Sequence, residues 1–301
     1  MISLLYGEND FALKQHLKQL IDTYSDKNTI ERVDGSTISI DDLANFFTGV
    51  SLFSTERLVV IDADGMSKDV WDKLAEYIEV ENLDTHIVLI DSSPDKRTKT
   101  FKLLQKNTAT HEFKSLSEKE AQEWLQQQSV SMGIKLSNDL VEKVVARSGV
   151  DQWKMYFALQ KLAHVDIINL SSIDEHVEAS SSANVFALID ASLHKSPDKV
   201  YRLIQDISMN EDPFFFFGLL SSQLFQLITL ASTKKTPTEV ATDLGVHPYP
   251  LQKLKTISTG LSKSDIDKIV STVTKCDNQL KRSGAEPWLV IEQALMKIAK
   301  R

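Results

Sequence analysis

The sequence predicts an α/β domain built on a parallel sheet, followed by all-α structure to the end of the chain. Three observations predict it. Residues 1–113 alternate short β-branched or apolar runs with helical patterns, which is a βαβ series. The runs Leu58-Val59-Val60-Ile61 and Ile87-Val88-Leu89-Ile90 lack polar alternation, as parallel strands covered by helices on both faces require. After Leu116 the strand signal disappears and apolar residues recur at helical spacing.

In chain order, strands are expected at Ile2–Tyr6, Thr29–Val33, Leu58–Asp62, Ile87–Asp91 and, more weakly, Thr110–Phe113. Helices at 10–24, 39–48, 67–79 and 98–106 connect them, the first with Asp10 as its expected N-cap. Helical patterns fill 117–131, 137–148 and 151–164, and the Ser-rich segment 171–182 reads as a linker. Helices then follow at 184–194, 197–209, 213–231, 237–244, 249–258, 262–281 and 287–299. The resulting plan has an α/β domain at 1–114, a small helical domain at 115–178 and an all-helical domain at 179–301. A length of 301 residues suits two or three folded units. Helix 213–231 opens with Pro213, suited to a first turn, and continues as Phe214-Phe215-Phe216-Phe217. At about 100° per residue, four successive side chains sweep most of a helix circumference, so one core-facing stripe cannot hold them all. The run is either the centre of the third domain's core or a surface buried by another subunit.

With 42% hydrophobic and 25% charged residues, the composition is that of a soluble globular protein. One cysteine, Cys276, allows neither an intramolecular disulfide nor a Cys-based zinc site, and a reducing, cytoplasmic setting is expected. The amino terminus turns acidic within ten residues, unlike a signal peptide, and no run approaches 18 uninterrupted apolar residues, so no membrane partner is expected. The net charge of −8 argues against a chain that coats nucleic acid with its whole surface. Yet residues 234–301 hold 12 Lys/Arg against 7 Asp/Glu, a net +5 that leaves −13 for residues 1–233. Contact with DNA is therefore expected late in the chain.

The glycines at 7, 35, 49, 65, 133, 149, 218, 245, 260 and 284 are nowhere closer than 14 positions. A Walker A loop, a dinucleotide fingerprint and a nucleophile elbow each need closer glycines, so none is present. The first strand leads instead into Tyr6-Gly7-Glu8-Asn9-Asp10-Phe11, where two carboxylates would repel a triphosphate. The histidines are at least 12 residues apart, which removes the His-x-x-x-His metal spacing. Asp62, Asp64 and Asp91 fall at carboxyl ends of predicted strands, where α/β proteins place ligands; without a phosphate loop to bring nucleotide-bound magnesium, they read as turn carboxylates. No metal or other cofactor is expected.

Several motifs stay open on the residues alone. Ser93-Pro94-Asp95-Lys96-Arg97-Thr98-Lys99 is a basic loop, either solvated or partner-facing. In Ser51-Leu52-Phe53-Ser54, Leu52 and Phe53 are either core residues or an exposed hydrophobic plug. Burying both in a partner pocket would contribute roughly 3–6 kcal/mol gross. Residues 236–258, with Gly245 at the corner, read like a helix-turn-helix whose second helix offers Gln252, Lys253 and Lys255. That pattern makes a DNA-binding regulator the alternative function, although many all-α domains contain such a corner. Lys281 and Arg282 end a long helix, where cations suit either the dipole or a phosphate.

Six segments together resemble the delta subunit family of the bacterial DNA polymerase III clamp loader. They are Leu5-Tyr6-Gly7-Glu8-Asn9-Asp10-Phe11; Ser51-Leu52-Phe53-Ser54-Thr55-Glu56-Arg57-Leu58-Val59-Val60; Asp95-Lys96-Arg97-Thr98-Lys99; Asn184-Val185-Phe186-Ala187-Leu188-Ile189-Asp190-Ala191; Leu244-Gly245-Val246-His247-Pro248-Tyr249; and Asp277-x-x-Leu280-Lys281 with Gly284. Their order spans nearly the whole chain.

The resemblance implies an AAA+-like parallel-sheet domain with a degenerate nucleotide site, a small helical lid domain and a helical collar domain. It implies a subunit that hydrolyses no ATP itself, so enzyme-class labels belong to the holoenzyme. Leu52 and Phe53 are then the plug inserted into the sliding clamp (beta), helping to open it for loading onto primed DNA. The implied partners are the clamp, the loader ATPase (gamma/tau) and delta-prime subunits, and primed DNA within the complex. Phe214, Phe215, Phe216 and Phe217 are the expected collar contact, and Lys253, Lys281 and Arg282 the candidate DNA neighbours. The arginine-finger motif and Cys-rich zinc module of the ATPase and delta-prime relatives are missing.

Overall fold

The computed structural model describes residues 1–24, 30–48, 57–78, 85–246, 248–282 and 284–300. These form two compact units, Met1–Leu116 with Val150–Trp153, and Ser117–Gly149 with Lys154–Arg301.

The first unit is built on strands β1 (Ile2–Tyr6), β2 (Ile30–Asp34), β3 (Arg57–Asp62), β4 (Thr85–Asp91) and β5 (Ala109–Glu112). They form one sheet of order β2-β3-β4-β1-β5, parallel throughout, with Leu4 opposite Leu89 and Val60 opposite Val88. Alternate residues of the apolar runs enter two separate cores. Leu4, Tyr6, Val59, Ile61, Ile87 and Leu89 meet α2 (Ile40–Thr48), α3 (Lys68–Leu74) and α4 (Lys99–Asn107) on one face. Leu5, Leu58, Val60 and Val88 meet α1 (Asp10–Asp22) on the other. This double burial is why these strands show no polar alternation. The second face also holds a polar chain: Ser3 Oγ lies 2.8 Å from His86 Nε2, and the Tyr24 hydroxyl 3.1 Å from His86 Nδ1. Burial, with the amino-terminal ammonium nearby, depresses the His86 pKa to about 4.

The N-cap of α1 is Asn9 rather than Asp10: its side chain accepts from Ala12 N and also donates to the Lys114 carbonyl at 3.1 Å. The Asn9 amide performs both roles, whereas the ionised carboxylate of Asp10 has no donor.

The second unit is helical: α5 (Glu118–Ser131), α6 (Asn138–Ser148), α7 (Gln152–Leu162, whose first two residues belong to the first unit), α8 (Leu170–His176), α9 (Ser181–Leu193), α10 (Pro197–Ser208), α11 (Pro213–Ser232), α12 (Pro237–Leu244), α13 (Pro248–Ser258), α14 (Lys263–Arg282) and α15 (Pro287–Ala299). The segment 171–182 is not a linker. Asn169 and Ser172 form a reciprocal capping box that starts α8, Ile173 is fully buried, and α9 already begins at Ser181. From α9 onward one core gathers Leu188, Ile204, Phe216, Leu227, Leu254 and Ile291, among others. Helix α11 is long and apolar enough to span a membrane by length and composition, yet its Phe216, Leu220, Leu224, Leu227 and Leu230 lie in that core.

Candidate functional site

At the carboxyl end of β1, where an α/β protein places a phosphate loop, the chain satisfies its own donors. Gly7 N donates to the Asp91 carbonyl at 3.2 Å, Asn9 N to the Phe113 carbonyl at 3.0 Å, and Leu13 N to the Asn9 carbonyl at 3.0 Å. Gly7 holds φ at +124°, and a Cβ there would stand 2.3 Å from the Phe113 oxygen. Trp153 closes the far side: its ring meets Phe11 edge-on at 4.8 Å and its Nε1 donates to Asp10 Oδ2 at 2.8 Å. The N–H groups of Gly7, Asn9 and Leu13 are committed within the chain, and the first helical turn carries an acidic residue. No sequence pattern links Trp153 to Asp10, because the pairing crosses the helices between them.

The strand-end carboxylates brace neighbouring turns. Asp62 Oδ1 accepts from Asp64 N at 3.1 Å, Asp64 Oδ1 from Ser92 N at 2.9 Å and from its hydroxyl at 3.0 Å, and Asp91 Oδ1 from Ser93 N at 2.9 Å. Burial first, then the neighbouring Asp64 and Asp62, push the Asp91 carboxyl above its ordinary range. Among the described residues, no group of three or more His, Cys, Asp or Glu could hold a metal ion. In the basic loop, Lys96 pairs with Glu112 at 2.7 Å and stands over the Tyr6 ring, while Arg97 grips Asp95 at 2.9 Å through both Nε and Nη2. Hydrogen bonds from Arg97 hold the Asp95 carboxyl at about 2.

Leu52 and Phe53 lie outside the described residues. The structure divides the Phe run. Phe216 is fully buried and tilts against Trp288 at 5.2 Å, and Phe217 is also buried, whereas Phe214 and Phe215 are 56% and 60% exposed. The collar expectation is therefore narrowed to Phe214 and Phe215, because the other two are used in this chain's own core. Asp212 caps the helix beneath them, accepting from the N–H groups of both exposed residues.

The candidate cations differ as well. Lys281 pairs with Asp277 one turn earlier at 2.8 Å, and Arg282 is exposed beside it. Lys253 is not an open phosphate contact: its ammonium sits 4.7 Å from the Tyr249 ring and 5.9 Å from the Phe186 ring, and burial lowers its pKa. The i,i+4 spacing of Tyr249 and Lys253 is the sequence signal that could have revealed this. The corner at Gly245 does form, with that residue left-handed at φ +64°, and α13 puts Leu251 and Leu254 into the core while Gln252 and Lys255 remain outside it. Gln223, which no sequence motif marks, lines a cavity beside Lys253.

Known families and structures match this architecture. The family described as DNA polymerase III, delta subunit, matches residues 4–114, and the family of the C-terminal domain of the DNA polymerase III delta subunit matches residues 182–298. Among solved structures, the Bacillus subtilis DNA clamp loader delta protein (YqeN) is similar at 20% identity, over 100% of this chain and 95% of that chain, with a TM-score of 0.71. The Thermotoga maritima RuvB Holliday junction branch migration motor aligns over 85% of this chain and 78% of that chain at 15% identity, with a TM-score of 0.41. No curated protein matches.

Proposed function

The chain belongs to the DNA polymerase III delta-subunit family and so has a role in clamp loading, and we propose that it performs this role by binding the sliding clamp through Leu52 and Phe53 and favouring its opened form. The observation that carries the reading is the pair of family matches, which cover most of the chain and include the Ser51–Ser54 segment. The α/β fold and the helical remainder agree with a loader subunit.

Delta subunits are non-catalytic accessory subunits, and the closed loop after β1 supports a chain that hydrolyses no ATP of its own. Opening the clamp then requires only differential binding: the subunit shifts the clamp population as far as it binds the opened form more tightly. A two-residue apolar plug suits this task when the opened clamp buries more of its apolar area than the closed clamp does.

In the full proposal the chain has three parts: the AAA+-like domain 1–114 that carries the plug, the lid 115–178 and the collar 179–301. Phe214 and Phe215 contribute to the collar contact with the gamma/tau ATPase or delta-prime subunits. Lys281 and Arg282 lie near primed DNA, and the complex works in the cytoplasm. A reconstituted loading reaction tests the role: clamp transfer to primed DNA by the ATPase and delta-prime subunits should need this chain, and transfer at full rate without it would refute the reading.

A further inference from the structure

The hairpin of α14 and α15 leaves a cleft of about 740 Å³ on the surface of the second unit. Ser264, Lys268 and Ser271 line one wall and Gln293, Lys297 and Lys300 the other, each set at i, i+4, i+7 spacing on a single helix face. The start of α14 therefore lies beside the end of α15, and the cleft is the seam between two antiparallel helices. It runs for about 12 Å, two helical turns at about 1.5 Å per residue. Ile269, Thr272 and Ile298 are buried beneath it, while all six wall residues are exposed. Half-buried Met296 is the apolar side chain open to an occupant, and the methylene stems of the three lysines extend that apolar surface.

Shape and charge together choose the occupant. The serines on the α14 wall let a third backbone approach to helix-packing distance, about 8–10 Å between axes. An extended segment would find no sheet edge here to pair with its backbone groups. The charge then selects an acidic helix. Lys268, Lys297 and Lys300 face a single carboxylate, Asp267, and among the described residues none of the three lysines is in an ion pair. The seam is thus a local surplus of two positive charges on a chain of net charge −8. An acidic partner is repelled by the chain as a whole and attracted at this place.

We propose that this seam docks an acidic amphipathic helix of a partner protein, with its apolar stripe on Met296 and the lysine stems and its flanking carboxylates paired with Lys268 on one side and Lys297 and Lys300 on the other. The site uses none of the residues assigned to the clamp, to the collar contact or to DNA, and it rests on none of those readings.

The test is fluorescence anisotropy of the full chain with labelled helical peptides of about 18 residues at about 0.15 M salt. One carries a leucine stripe flanked by glutamates, one the same stripe flanked by lysines, and one the glutamates with serine in place of leucine. The wild type should bind the first at least about tenfold more tightly than either of the others. Lys268→Glu/Lys297→Glu should reverse the order of the glutamate and lysine peptides, and Ser271→Trp, which fills the seam, should abolish binding. Thermal unfolding should stay nearly unchanged in both, since all three positions are exposed. Lys255→Glu/Lys275→Glu makes the same change of charge outside the seam and should keep the preference. Equal affinity for the peptides, a preference that survives Ser271→Trp in a folded chain, or one lost equally in Lys255→Glu/Lys275→Glu overturns the proposal. Two other occupants would overturn it as well: a second copy, seen as a sedimenting dimer that Ser271→Trp returns to monomer, and nucleic acid, seen as a duplex oligonucleotide that displaces the glutamate peptide and is itself lost on Ser271→Trp.

Discussion

The carbonyl oxygen of Phe113 occupies the place where a side chain on Gly7 would begin, 2.3 Å from the Cβ position, while accepting the Asn9 N–H at 3.0 Å. The loop after β1 thus closes on the strand-end backbone rather than on a ligand. Gly7→Ala should cost about 2–4 kcal/mol, combining a positive φ with a backbone collision. Gly133→Ala, where φ is +74° but nothing lies within 4 Å, is the comparison and should cost about 1 kcal/mol. Urea unfolding of the two variants measures the difference, and equal losses would show that the Phe113 contact carries no strain.

His86 makes stability pH-dependent. Its folded pKa of about 4 lies below the ordinary 6.5, so the native state favours the neutral ring. That contribution is complete above 6.5 and is lost as pH falls from 6.5 through about 4. Allowing for the part-exposed Tyr24 side, wild type should lose about 1–2 kcal/mol more than His86→Gln between roughly pH 7 and pH 4.5. Parallel urea curves for the two proteins across this range would contradict a buried neutral histidine.

The Phe run should split by burial. Phe216→Ala opens a cavity against Trp288 and should destabilise the chain by about 3–5 kcal/mol. Phe214→Ala/Phe215→Ala should leave thermal unfolding nearly unchanged and weaken assembly with the loader partners by about tenfold or more. Assembly followed by size-exclusion chromatography checks the second half, and undiminished assembly would remove these residues from the collar contact.

Arg282 should act on DNA through charge alone. Arg282→Ala in the assembled loader should weaken binding uniformly across sequences and reduce the slope of log K against log salt by about 1. Lys281→Ala should do less, because Asp277 already holds its ammonium at 2.8 Å. A salt slope unaltered by Arg282→Ala would place the DNA elsewhere.

Legibility in the sequence followed the physics of each segment. Leu58–Ile61 and Ile87–Ile90 were readable because burial on two faces leaves no polar residue in the run. Helix α8 was hidden: its seven residues sit in a Ser-rich stretch, and its capping box uses Ser172 where Glu or Gln is the usual signal. Asn9 and Asp10 both suit an N-cap, and the Lys114 carbonyl, distant in sequence, decides between them. For the candidate site, the helix-turn-helix pattern and the family resemblance put Lys253 among DNA-facing cations, but the rings of Tyr249 and Phe186 decide where its ammonium goes.

The central claim is that Leu52 and Phe53 join this chain to the sliding clamp. Surface plasmon resonance with the clamp from the same organism, comparing wild type with a folded Leu52→Ala/Phe53→Ala chain, tests it most directly. Wild type should bind tightly, and the double variant should lose at least about a hundredfold in affinity, from roughly 3–6 kcal/mol of apolar burial. A wild-type chain that ignores the clamp, or a double variant that binds as tightly, would contradict it.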